Sequence, residues 1–81
     1  MKAMEVHPLA GYKIKVTFND GVSGIVDLNG LISKGIFQQL KDETAFRNVI
    51  TDGTAIAWFD ELEIDANKIY TEILNREPIL Q

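Results

Sequence analysis

The alternation in "YKIKVTF" is the feature that most limits what this chain can become. Tyr12, Ile14, Val16 and Phe18 fall on one side and Lys13, Lys15 and Thr17 on the other, the period-two pattern of a strand with one face on a core and one in water. The continuation, "NDGVSGIVDL", holds two glycines and an aspartate near its end, a composition shared by phosphate loops, metal loops and tight turns. Register decides among them. A two-residue Asp20-Gly21 turn sets Val16 opposite Ile25 and Ile14 opposite Asp27, which pushes a carboxylate onto the apolar face. A three-residue loop, Asn19-Asp20-Gly21, with Gly21 left-handed as a G1 bulge, pairs Phe18 with Val22, Val16 with Gly24 and Ile14 with Val26 instead. The apolar faces then agree, and Lys13 stands opposite Asp27 on the solvent side, a pairing worth roughly 0.2–1 kcal/mol. Gly24 marks a place where another element comes close to the sheet. A phosphate loop needs a helix N-terminus directly after its glycines, and "VSGIVDL" is strand-like. A calcium loop needs oxygen ligands where Val22, Gly24 and Val26 stand.

The rest of the chain reads as short elements. "MEVHP" is a strand with Met4 and Val6 on one side, Glu5 and His7 on the other, ended by Pro8. Between Leu28 and Val49 the apolar residues group as three short helical turns. Asp27 can cap the first, Gly35 can end it, and Asp42 can cap the turn that carries Phe46. "VITDGTAIAWF" is a second hairpin about Asp52-Gly53, and Leu62 to Ile64 form a brief strand. A helix then runs from about Ala66 to Asn75, with Ala66, Ile69, Tyr70, Ile73 and Leu74 on one face and Asp65 as N-cap. The expected fold is α+β: one small antiparallel sheet built from two hairpins and a short strand, helical turns in the middle, and a C-terminal helix packed on the sheet. Residues 1–81 form a single domain, with no repeat, linker or low-complexity stretch.

Composition removes whole classes of function. With no cysteine in 81 residues, disulfides, thiolate zinc sites and thiol nucleophiles are out, and stability must come from packing, to which a homodimer would add. No apolar run approaches the ~18 residues of a membrane span, and "MKAMEVHPLAGYK" has no signal-peptide pattern, so a cytoplasmic protein is expected. The net charge is −4, and no lysine or arginine lies between Arg47 and Lys68, a gap that holds Asp52, Asp60, Glu61, Glu63 and Asp65. Direct nucleic-acid binding is disfavoured, and a charged partner of that surface would be basic.

Candidate sites are few. His7 is the only histidine, and an exposed strand position suits it better than catalysis or metal binding. Ser23, Thr51 and Thr54 lie near turns, outside any nucleophile elbow. No catalytic, metal or cofactor residue is assigned, and a binding module is expected rather than an enzyme; a small enzyme with an unrecognised carboxylate site is the alternative. "WFDELEID" is the most suggestive segment. As a strand it turns Leu62 and Ile64 inward and Glu61, Glu63 and Asp65 outward in an acidic row. A hard cation such as Mg²⁺ could use such a row but usually also wants substrate phosphates, so an edge-protecting strand with a helix cap is the favoured reading. Trp58 and Phe59 point to opposite faces; one belongs to the core and the other is free to anchor a partner. The partner-binding candidates are therefore Trp58, Phe59, Asp60, Glu61 and Glu63.

Taken in order, "VTFNDGVSGIVDL", "GIFQQLKDETAFRNV" and "AIAWFDELEIDANKIY" resemble the bacterial DUF2442 family, a domain of unknown function, over nearly the whole chain. The resemblance implies a small α+β fold with an antiparallel sheet and no established activity or cofactor. It also implies a protein partner in toxin–antitoxin-like pairs and, in some members, an added helix-turn-helix domain. A DNA-associated regulator acting through a partner is thus a rival to a plain interaction domain. This chain departs from the pattern in ending at Gln81, soon after the "IY" helix, so that no DNA-reading module is expected, and in lacking a glycine after the tryptophan.

Overall fold

The alternating segment becomes the middle strand of an antiparallel sheet. In a computed structural model, which describes residues 2–59 and 62–76, β1 (Ala3–Leu9), β2 (Lys13–Phe18) and β3 (Ser23–Asp27) lie in the order β1-β2-β3. Ile14 faces Val26, Val16 faces Gly24 and Lys13 faces Asp27, the register that a shared apolar face demands. Gly21 adopts a φ of 92°, and the Phe18 amide donates to the Val22 carbonyl at 2.8 Å. A three-residue loop closed by a G1 bulge needs that positive φ, which glycine adopts without strain. Ile14, Val16, Phe18 and Val26 are all buried.

Strand β1 departs from its simple alternation. Its register against β2 shifts between Ala3 and Glu5, and a bulge of this kind reverses which side the extra residue faces. Met4 is consequently 62% exposed, and Ala3 takes the core position instead. Pro8 does not end the strand, which runs on to Leu9; β1 is an edge strand, where a missing N–H is tolerated. Tyr12 lies in the β1–β2 turn rather than in β2, with a left-handed φ of 61°. A non-glycine residue there costs on the order of 1–3 kcal/mol. Its side chain offsets that strain: the ring meets Phe46 edge-on at 5.4 Å, and the hydroxyl donates to the Lys41 carbonyl.

A second three-stranded sheet follows, β4 (Ile50–Thr51), β5 (Ala55–Phe59) and β6 (Leu62–Asp65), in the order β4-β5-β6. The expected single sheet is therefore two. The start of β1 meets the β4–β5 turn rather than the length of a strand: Ala3 N–H donates to the Gly53 carbonyl at 2.9 Å and Thr51 Oγ1 reaches the Ala3 carbonyl at 3.5 Å. A ladder cannot continue across a turn, so the sheets touch at a seam without merging. The turn itself forms as its sequence suggests. Asp52 Oδ1 accepts from Thr54 N–H, Thr54 Oγ1 and Ala55 N–H at 2.9, 3.0 and 2.9 Å.

The middle of the chain forms α1 (Asn29–Ile32), a 3-10 helix (Gly35–Lys41) and α2 (Glu43–Phe46). Asp27 Oδ1 accepts from Asn29 N–H at 2.9 Å and Asp42 Oδ1 from Thr44 N–H at 3.0 Å. Gly35 opens the 3-10 helix rather than closing α1, which ends at Ser33. Helix α3 (Ala66–Arg76) starts where Asp65 Oδ1 accepts from Asn67 N–H at 2.8 Å. It packs against β3 of one sheet and β5 and β6 of the other. Ala66, Ile69 and Ile73 are buried, whereas Leu74 is 44% exposed, so the apolar face is narrower than its spacing suggests. Tyr70 ties α3 to the first hairpin: its hydroxyl donates to Asp20 Oδ2 at 2.7 Å and its ring lies edge-on to Phe18 at 5.0 Å. Among the described residues no helix is long and apolar enough to cross a membrane.

Candidate functional site

The two sheets and α3 leave a hollow on one flank. Strand β3 and α1 form one wall, β6 and α3 the other, and between them lies an open groove of about 480 Å³. Alternation explains the β6 wall: Ile64 turns toward the floor, and Glu63 and Asp65 turn to the rim. Helical spacing explains the α3 wall, where Lys68, Ile69 and Glu72 follow Asp65 at intervals of three and four residues. Val26, Leu31, Phe37, Ile64 and Ile69 make the floor apolar, and Leu31, Phe37 and Ile64 are only half-buried.

The rim carries the carboxylates of Asp27, Glu63, Asp65 and Glu72 against the single ammonium of Lys68. Two of these acids serve the fold. Asp27 Oδ1 accepts from both Asn29 N–H and Asn29 Nδ2, at 2.9 and 2.7 Å, and Asp65 caps α3. Glu63 and Glu72 are exposed and make no hydrogen bond or ion pair among the described residues. No group of three or more His, Cys, Asp or Glu side chains among the described residues is arranged to hold a metal ion. Two carboxyls in turns are held below the ordinary carboxylate range. The Tyr70 hydroxyl, then the Val22 amide, favours the charged form of Asp20, and the Thr54 and Ala55 amides do so for Asp52. The same Asp20 contact raises the Tyr70 phenol.

The partner-contact candidates divide. Trp58 is buried at 5% exposure, donates from Nε1 to the Phe46 carbonyl at 3.0 Å and stacks at a tilt on the Phe46 ring. It is a core residue of this fold, with its one polar atom satisfied inside. Phe59 ends β5, and its side chain lies outside the described residues, as do Asp60 and Glu61. Glu63 stands on the groove rim. His7 is exposed beside Glu5 at 3.3 Å and does not line the groove. Thr51 and Thr54 spend their hydroxyls inside the β4–β5 turn.

The sequence reading missed Asp27, Lys68 and Glu72 as rim residues and Leu31 and Phe37 as floor. The i, i+4 relation of Lys68 to Glu72, on the flank of the Ile69 face, was a visible signal for one wall; the opposite wall comes from a distant stretch with no periodicity to align it. A family model described as protein of unknown function, DUF2442, matches residues 3–75. No curated protein and no solved structure matches the chain.

Proposed function

The chain belongs to the DUF2442 family, and from that premise we propose that it is a non-catalytic interaction domain, the acidic member of a pair with a basic protein. The groove carries this reading. Its apolar floor supplies area to bury, and its carboxylate rim sets the sign of the partner. Lys13 and Lys15 project from the exposed side of β2, whereas Glu63 and Glu72 flank the groove. The described lining contains no histidine, hydroxyl or thiol. In this reading the pair is of the toxin–antitoxin kind, acts in the cytoplasm, and has its basic member encoded nearby.

The test is cross-linking of the tagged full chain in its native cells, followed by affinity purification and mass spectrometry. A basic protein cross-linked beside the groove, and lost with Glu63→Lys, is the expected result. A chain that runs alone at high concentration, captures no protein and retains DNA in low salt refutes the proposal. A dimer of this chain with free groove residues refutes the heterologous pair.

A further inference from the structure

We infer that the groove between β3–α1 and β6–α3 takes one amphipathic segment of the partner, with apolar side chains on the floor and two basic side chains about two helical turns apart. This rests on the interaction reading above and deepens it. Leu31, Phe37 and Ile64 are half-buried and remain able to bury more area against an occupant. Asp65, with Glu63 beside it, stands at the start of α3, and Glu72 stands seven residues further along the helix. At 1.5 Å per residue the two acidic ends of the rim are therefore roughly 10 Å apart along the α3 axis. Lys68 lies between them and disfavours a third cation at the centre. The complementary pattern is a basic residue, apolar residues at i+3 and i+4, and a second basic residue at i+7.

Other occupants fit less well. A divalent ion lacks a cluster of ligands among the described residues. An anionic lipid surface or a nucleic-acid backbone would be repelled by the rim. A small cation would leave much of the open, apolar floor uncovered.

The probe is a capped helical peptide with lysine at i and i+7 and leucine at i+3 and i+4, titrated into the isotope-labelled full chain and followed by amide NMR. Shifts confined to the neighbourhood of Leu31, Phe37, Ile64, Lys68 and Glu72 are expected, with at least about tenfold weaker binding to the Glu63→Gln/Glu72→Gln variant. Both glutamates are exposed, so the melting temperature of that variant should match the parent and exclude misfolding as the cause. A sibling peptide with glutamate for lysine should not bind. The inference is overturned if a serine-for-leucine sibling or free spermine binds as tightly, if the shifts fall on the Lys13 and Lys15 face, or if none appears at millimolar peptide. A native partner that contacts another surface, together with a silent groove, sinks this inference and spares the interaction reading. Peptide binding at the groove without any cellular partner does the reverse.

Discussion

Gly24→Ala should destabilise the domain, and a second change should cancel the effect. A Cβ at Gly24 would stand 2.7 Å from Ile73 Cγ2 and 3.1 Å from Cγ1, where carbon atoms prefer roughly 3.5–4.0 Å. The neighbour must therefore retreat by about 0.8 Å or more, yet Ile73 is 2% exposed and enclosed on all sides. Overpacking of this kind costs about 1–3 kcal/mol, and removing a glycine from a strand returns about 0.5–1 kcal/mol. The net expectation is a loss of up to about 2.5 kcal/mol, a fall in melting temperature of up to roughly 20 °C for a domain of this size. Ile73→Ala alone should cost about 2–5 kcal/mol. With Ile73 already truncated, however, the new methyl enters vacated space, so Gly24→Ala should become neutral or stabilising. Urea unfolding of the four proteins, with an unchanged m-value as the check on two-state behaviour, measures the coupling. An equal cost of Gly24→Ala in both backgrounds would show that β3 and α3 do not meet at this point.

Phe18→Ala should cost about 3–5 kcal/mol and Lys15→Ala less than about 0.5 kcal/mol, because Phe18 is buried and Lys15 faces water; equal melting temperatures would refute the core assignment. Trp58→Phe keeps a ring but leaves the Phe46 carbonyl without its donor, which should cost about 1–3 kcal/mol; the parent Trp58 should fluoresce at short wavelength and resist iodide quenching. The Tyr70–Asp20 contact lowers the Asp20 carboxyl and raises the Tyr70 phenol. Its contribution is thus present between about pH 4 and pH 10, lost as pH falls through the depressed Asp20 value and again as pH rises through the raised Tyr70 value. The gap in urea midpoint between parent and Tyr70→Phe should close at both extremes, and a pH-independent gap would contradict this linkage.

What the sequence disclosed depended on how far each signal reached. The β2–β3 register was legible because one misplaced residue, Asp27, would have broken a face, and the structure has the pairing that spares it. Helix α3 was legible from its own spacing and the cap at Asp65. Met4 was misplaced because a bulge resets the alternation without leaving a mark in composition. Two sheets replaced one because sheet membership depends on where the ends of β1 and β4 meet, a contact near Ala3 and Gly53. That Trp58 lies inside rests on the Phe46 carbonyl, reached from twelve residues away, a contact that alternation alone does not reveal. The groove stayed hidden for the same reason, since Phe37 and Glu72 share it only after the chain has folded back.

The position of α3 bears on how the protein is made. Both hairpins use local turns and can form soon after their residues leave the ribosome, whereas α3 comes last in chain order and docks against a hairpin 50 residues earlier at the Tyr70–Asp20 contact. Until it arrives, Phe18, Val26 and Ile56 lack the cover that α3 gives the two sheets. Chains that end before Ala66 should therefore expose these apolar faces and recruit holdase chaperones, and nascent chains tethered far enough beyond Arg76 for α3 to clear the ribosome should release them.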